Sequence, residues 1–430
     1  MKTLIDHIQI QCFGNDNAPI MDGCIAIDND RIHYAGPRNG LPKGFEEDVT
    51  IEGEGKLALP GLINAHTHAA MTGLRGVGGD RDLFAWLHEE IFPAEDRMTG
   101  DDVYWLTMLG IAEMIRNGVT AFADMYNFEG QVAQAVADTG IRASLSRGIL
   151  SGDGEETRFA EAKELFDTWH GKAEGRIRTM MSAHAVYTCT DKTLIRIRNM
   201  AKEMGVPIHV HVSETYREVT DCVREHKRTP PRYIHDLGLF DVPILAAHCV
   251  HVDEADMSLM AEHGVKVAHN PVSNLKLGSG IAPVPRMLQK GICVALGTDG
   301  ASSNNNLSVL RELREAALIH KGAAMDPTLV TACEACRMAT VNGAEALFWT
   351  EEIGTLEVGK KADLILLDVT APHWVPMQDP CSGMAYAAQE GDINTVIVDG
   401  NVLMENRELV NMDMEEITAK AQEIHDRITK

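Results

Sequence analysis

From residue 59 onward, short apolar runs alternate with longer stretches in which apolar residues recur three or four apart, and this continues for about three hundred residues. Apolar runs bounded by polar or turn-forming residues fall at 62–65, 121–125, 143–146, 179–183, 208–212, 244–247, 265–268 and 293–296, and each predicts a buried strand. The stretches between them carry helical periodicity, as at 104–117, 159–169, 193–204 and 255–263. Gly118, Gly205 and Gly264 each stand between a helix and the next strand, where the chain leaves the helix through a left-handed residue. Eight strands separated by helices predict an α/β fold, a (β/α)8 TIM-like barrel.

The flanks have a different texture. Before residue 57 the chain holds short β-rich pieces, among them 24–27 and 31–35 joined by a turn at Asn29-Asp30. Past residue 363 such pieces return at 364–368 and 395–398, the second followed by the hairpin pair Asp399-Gly400. We therefore expect a small β-sandwich domain formed from both chain ends, residues 1–57 and 364–430, around a barrel of residues 58–363. A terminal helix at 414–428 is expected to start from Asp413 as its cap.

Composition narrows the function classes. A net charge of −24 argues against a nucleic-acid or anionic-membrane partner, since both need a basic face. No run approaches the roughly 20 apolar residues of a membrane helix. Asp6 interrupts the opening stretch, and no apolar signal region follows it. Nine scattered cysteines do not make a disulfide framework, which points to a reduced, cytoplasmic protein.

The candidate chemistry lies where the strands end. His66 and His68 are two apart, so in a strand both imidazoles project to one side, where they suit one divalent cation. Alone, the pair is a weak signal and reads more readily as two polar residues at a strand end. His211, with Glu214 three residues on, closes the fifth run; His248 closes the sixth; Asp299, in Gly297-Thr298-Asp299-Gly300, closes the eighth. Barrel enzymes carry catalytic groups at the carboxyl ends of their strands, and six such residues there point to one shared metal site. Other reactive residues read as structural. His209 shares a face with His211 but lies one layer deeper, as a core histidine. His269 precedes Asn270-Pro271 and is expected to shape a loop. Cys333-x-x-Cys336 has no second pair and falls in the helical stretch 329–347, as buried thiols.

The segment Pro60-Gly61-Leu62-Ile63-Asn64-Ala65-His66-Thr67-His68, with His211, His248 and Asp299, resembles the amidohydrolase superfamily over nearly the whole chain. So does the later run Gly354-Thr355-Leu356-Glu357-Val358-Gly359-Lys360-Lys361-Ala362-Asp363-Leu364. Within that superfamily, Trp86-Leu87, Pro93-Ala94-Glu95-Asp96, Ser146-Arg147-Gly148 and the long run from Asn270 to Pro283 resemble the 5-methylthioadenosine/S-adenosylhomocysteine deaminases.

The resemblance implies that His66, His68, His211 and Asp299 hold one divalent metal, Zn2+ first, with Fe2+ or Mn2+ suited to the same donors. Binuclear members carry a modified lysine on the fourth strand; here that strand has none and ends at His184, which implies a single ion. It implies further that Glu214 and His248 act as acid–base and polarising groups and that Asp299 takes a proton from the attacking water. Glu95 would bind ribose hydroxyls, and Arg147, Arg158 and His184 would line the substrate pocket. Trp86 would pack near the nucleoside, although it also fits the apolar face of a helix at 83–91. The implied reaction is hydrolytic removal of the 6-amino group of 5′-methylthioadenosine, S-adenosylhomocysteine, adenosine or 5′-deoxyadenosine by water activated on the metal, in a homo-oligomer whose partner is a small nucleoside. The alternatives are a deaminase or dechlorinase of guanine, cytosine or a triazine on the same scaffold, and an inactive scaffold protein.

Overall fold

The computed structural model describes residues 1–14, 18–81 and 83–430. Among these, eight parallel strands follow one another around a barrel: Leu62–Thr67, Val119–Tyr126, Arg142–Arg147, a fourth in two pieces (Ile177–Thr179 and Met181–Ala185), Ile208–Val212, Ile244–His248, Lys266–His269 and Val294–Leu296. Each pairs in parallel with the next, the two pieces of the fourth ending one sheet and starting the other. The break is at Met180, whose N–H turns back to Leu145 O at 2.9 Å, while Met181 N–H turns forward to Pro207 O at 3.0 Å. At the remaining seam, Asp299 N–H donates to His66 O and Thr298 N–H to Asn64 Oδ1, both at 3.0 Å, which sets the eighth strand beside the first.

Every residue of the first, second, third, fifth and sixth strands is buried, as a parallel sheet covered by helices on its outer face requires. Those helices start from side-chain caps. Thr99 and Asp102 form a reciprocal capping box at the head of Gly100–Arg116. Thr190 caps Asp191–Met204, which ends on Gly205 at φ +68.

The two chain ends make one nine-stranded sheet. Lys56–Pro60 is its centre, pairing in parallel with Lys2–Ile10 on one side and antiparallel with Leu364–Asp368 on the other. Alternation sorts the faces. Leu57, Leu59, Ile365 and Leu367 pack into the barrel's core, while Ala58, Leu364 and Leu366 join Ile5, Ile8, Ile25 and Ile27 in a second core inside the sheet domain. The expected boundary at residue 57 therefore cuts through a strand that runs to Pro60. Arg142, at the head of the third barrel strand, fastens the two bodies: its Nε donates to Asp363 Oδ2 at 2.7 Å, and its Nη2 to Asp363 Oδ1 and Asp399 Oδ1 at 3.0 Å. Among the described residues, no helix is long and apolar enough to cross a membrane.

Candidate active site

All six singled-out residues lie at the carboxyl ends of barrel strands, and all are buried. His66 Nε2 stands 3.2 Å from His211 Nε2 and 3.5 Å from Asp299 Oδ1, and His68 Nε2 is 3.2 Å from the same Oδ1. Potential ligand atoms of His66, His211 and His248, and those of His66, His68 and Asp299, each fall within 4.8 Å of one another. The two groups share His66, so they outline one centre.

The far nitrogens decide what these rings present. His68 Nδ1 faces Met125 O and His211 Nδ1 faces His184 O, both at 2.5 Å. A carbonyl only accepts, so both Nδ1 atoms carry a proton, and in the neutral rings that bind a cation both Nε2 atoms are lone pairs. His66 Nδ1 meets His209 Nε2 at 2.9 Å. His209 Nδ1 in turn is 3.5 Å from Ser146 Oγ, whose own proton is spent on Asp124 O at 2.7 Å. His66 therefore also turns a lone pair inward. Three imidazole lone pairs and a carboxylate oxygen converge with no donor among them, a set that fits a divalent cation.

In the bare protein a proton on His68, set against Asp299, supplies the positive charge that a cation would supply there. Burial drives His66 down to about 3 and His211 well below the usual histidine range. Burial also opposes a proton on His68, but the Asp299 hydrogen bond and charge outweigh it and lift the ring to about 9. Asp299, despite burial, is held well below the usual carboxylate range by its contacts with His66 and His68. Its other oxygen accepts from Ser273 Oγ at 2.7 Å and Ser303 Oγ at 2.9 Å. Asp299 and His248 have φ +60 and +71, a conformation that non-glycine residues hold only where surrounding bonds enforce it. Asn274 Oδ1 fixes His248 Nδ1 at 2.8 Å, which leaves its Nε2 facing Glu214 Oε2 at 3.8 Å.

A cleft of about 750 Å3 opens over this centre. Trp86, Glu95, His184, Tyr187 and Glu214 line it together with the centre's own side chains. Trp86 is held by its Nε1–H to Val77 O at 3.1 Å. Burial lowers His184 to about 4, so its ring is neutral. Glu95 Oε1 and Glu214 Oε1 are buried with no hydrogen-bond partner. Burial raises both carboxyls, Glu95 to about 7. Two orphaned carboxyl oxygens in one cleft are two places where a ligand's polar groups are wanted, donors by a carboxylate and an acceptor by a protonated carboxyl.

Arg147 and Arg158 do not border that cleft. They line an adjoining one of about 1070 Å3 that shares Glu95 with it. Arg147 Nε is bonded to Glu161 Oε2 at 2.6 Å, and Arg158 Nη1 to Asp153 O at 2.7 Å. His209 is buried in the barrel as expected, but as the hydrogen-bond partner of His66. His269 Nε2 meets His320 Nε2 at 3.3 Å, and His269 belongs to neither ligand group. Cys333 and Cys336 sit on Ala332–Met338, and none of the nine cysteines is paired.

Sequence reasoning missed a set of supporting groups. Asp124 Oδ1 takes Ala69 N–H, next to His68, and Glu129 Oε1 takes Tyr126 N–H, both at 2.7 Å. Burial raises both carboxyls, Asp124 to about 7. Glu218 stands behind Glu214. Acidic residues inside a barrel strand, as at Asp124, were the signal available.

Comparison with known proteins adds the following. Residues 57–403 match the amidohydrolase family. The chain is 50% identical over 399 residues to a 5-methylthioadenosine/S-adenosylhomocysteine deaminase of Moorella thermoacetica, covering 93% of each chain. It is 46% identical to a protein of the same name from Acetivibrio thermocellus, over the full length of both. Among solved structures, an adenosine deaminase from Xanthomonas campestris with bound zinc superposes with a TM-score of 0.96 at 34% identity, over 99% of this chain and 98% of that one.

Proposed function

The chain belongs to the amidohydrolase family, and from that premise we propose that it is a metal-dependent hydrolase removing the 6-amino group of adenine nucleosides. Its substrates are 5′-methylthioadenosine and S-adenosylhomocysteine, with adenosine and 5′-deoxyadenosine as further candidates, and its products are the inosine analogue and ammonia. The observation that carries this reading is the pair of orphaned carboxyl oxygens, Glu95 Oε1 and Glu214 Oε1, in the cleft that holds the cation site. One suits the ribose hydroxyls and the other the purine ring.

His66, His68, His211 and Asp299 would hold the ion, zinc first. Bound there, a divalent cation acidifies water and polarises the carbon under attack. Burial raises the Glu214 carboxyl, which favours its protonated form, and as general acid it would donate to N1 as water adds at C6 and ring aromaticity is lost. Asp299 takes one proton from that water while His248 orients it. Asp299 then hands its proton to the amino group, which leaves as ammonia, and the new C6 hydroxyl returns a proton to Glu214 as the carbonyl forms. Both side chains end as they began. Glu95 anchors the ribose, Trp86 and His184 flank the base, and Arg147 and Arg158 await the 5′ substituent in the adjoining cleft. We read the enzyme as a cytoplasmic homo-oligomer that binds no nucleic acid, in keeping with its net charge of −24.

The test is parallel incubation of zinc-loaded protein with S-adenosylhomocysteine, methylthioadenosine, adenosine, guanine and cytosine, following ammonia release. Turnover of the adenosine compounds with inert free bases is expected. Turnover of a free base alone would remove Glu95 and the arginines from substrate binding.

A further inference from the structure

Thr215 caps the helix Tyr216–His226, its Oγ1 accepting from Glu218 N–H at 3.1 Å. Thr215-x-x-Glu218 has the spacing of a capping box, in which the glutamate returns to the N–H of the capping residue itself. Glu218 instead reaches further back. Its Oε1 accepts from Ser213 N–H at 3.0 Å and its Oε2 from Glu214 N–H at 2.8 Å. Both oxygens are spent on the two backbone amides that carry Glu214.

Ordinary capping does not call for this arrangement. The Glu218 side chain is only 2% exposed, and burial pushes its carboxyl up to about 7. A surface cap needs neither, because burying a carboxylate is unfavourable unless its bonds secure something. What they secure is a turn. Ser213 follows the fifth barrel strand at φ +51, a strained value for a residue with a side chain. Its carbonyl is also pinned, by His251 N–H at 2.9 Å. The turn breaks the strand's alternation and brings Glu214 to the wall of the cleft with Oε1 unpartnered.

We propose that Glu218 is a positioning residue for the proton transfer made by Glu214, its two carboxylate oxygens holding the Ser213–Glu214 peptide in the turn that aims Glu214 at the substrate. The proposal rests on the reading of Glu214 as proton donor given above. Glu218 does not touch substrate, and its effect passes through Glu214 alone.

The experiment compares Glu218→Gln, Glu214→Gln and the double variant as zinc-loaded enzymes on the best nucleoside substrate. E218Q keeps the side chain's volume but sets an amide NH2 against a backbone N–H. Loss of aim is expected to lower kcat roughly ten- to a hundredfold, with KM within about threefold of wild type and zinc still at one per chain. On the E214Q background the same change should lower kcat by less than about twofold, because there is no proton left to aim. Losses that multiply in the double variant would assign Glu218 a general structural role and overturn the proposal, as would wild-type kcat in E218Q. If E218Q does not fold, Glu218→Asp, which keeps the charge but withdraws it by one methylene, gives the same readout. A wild-type enzyme inert on every nucleoside would instead defeat the underlying reading, and that is settled before any variant is made.

Discussion

Glu95→Gln isolates ribose recognition, because it keeps the side chain's shape and removes its charge. In the protein Glu95 Oε1 is buried without a partner, with Tyr126 as the hydrogen-bond neighbour of the carboxyl group. A hydrogen bond to a charged group contributes about 1.5–3 kcal/mol, and charge-assisted bonds are roughly twice as strong as neutral ones. Halving two such bonds, one to each ribose hydroxyl, loses about 1.5–3 kcal/mol, which at 1.36 kcal/mol per decade should lower kcat/KM for adenosine about 13- to 160-fold. The loss should fall mainly on KM. The control is 2′,3′-dideoxyadenosine, which has no hydroxyls to offer and should change less than about threefold. The pH dependence sharpens the test. Burial raises the Glu95 carboxyl to about 7, so the charged, accepting form grows as pH rises through that value. The ratio of kcat/KM for adenosine over the dideoxy substrate should therefore climb between pH 6 and 8 in the wild type and stay flat in E95Q. Equal losses on both substrates, or a ratio indifferent to pH, would refute the assignment.

Glu214→Gln should retain its metal while kcat falls about 10²–10⁴-fold, the usual worth of general acid–base help; substantial turnover by a metal-replete variant would overturn the role. Dialysis against a chelator should abolish activity, and one Zn2+ per chain should restore it; metal analysis showing two ions per chain would contradict the single centre built on His66. Arg142→Met removes the guanidinium from two buried carboxylates, leaving Asp363 Oδ1 the Asp399 N–H at 2.8 Å and leaving Asp399 Oδ1 the Lys361 Nζ at 3.0 Å. Breaking a buried ion pair from one side costs about 3–5 kcal/mol, which a urea midpoint would register; a loss under about 1 kcal/mol would show that the network is dispensable.

Much of the scaffold was legible because period and position coincide. Ile208–Val212, Leu364–Asp368 and Met414–Ile428 have the bounds that their patterns predict, and Asp413 caps the last of them. The fourth strand was legible as an apolar run, but not its break at Met180, which depends on which neighbour each amide meets. The helix expected at 83–91 is Leu83–Trp86 followed by a wider π turn, Leu87–Ile91, and a further turn, Phe92–Glu95. The periodicity at 329–347 similarly hid the interruption between Ala332–Met338 and Val341–Ala346.

The cluster at the strand ends was readable because each member marks the end of a run. Its support was not. Asn274 behind His248, His209 behind His66 and Asp124 behind the loop after His68 are joined only by the barrel's closure, and nothing local in sequence distinguishes them from other buried polar residues. Glu218 was masked by a likeness to an ordinary cap.

The central strand of the terminal sheet, Lys56–Pro60, has its antiparallel neighbour at Leu364–Asp368, on the far side of the barrel in sequence. At ~5–20 residues per second, the roughly 300 residues between them take about 15–60 s to synthesise. For that interval on the ribosome the strand lacks its partner, and Asp363 is not yet present to meet the buried Arg142. The first barrel strand, with His66, emerges directly behind this open edge. Closing the sheet is thus a late event in the life of each chain, and a product that stops before residue 364 would carry a complete metal-ligand set on a body whose unpaired edge is a template for association with other chains.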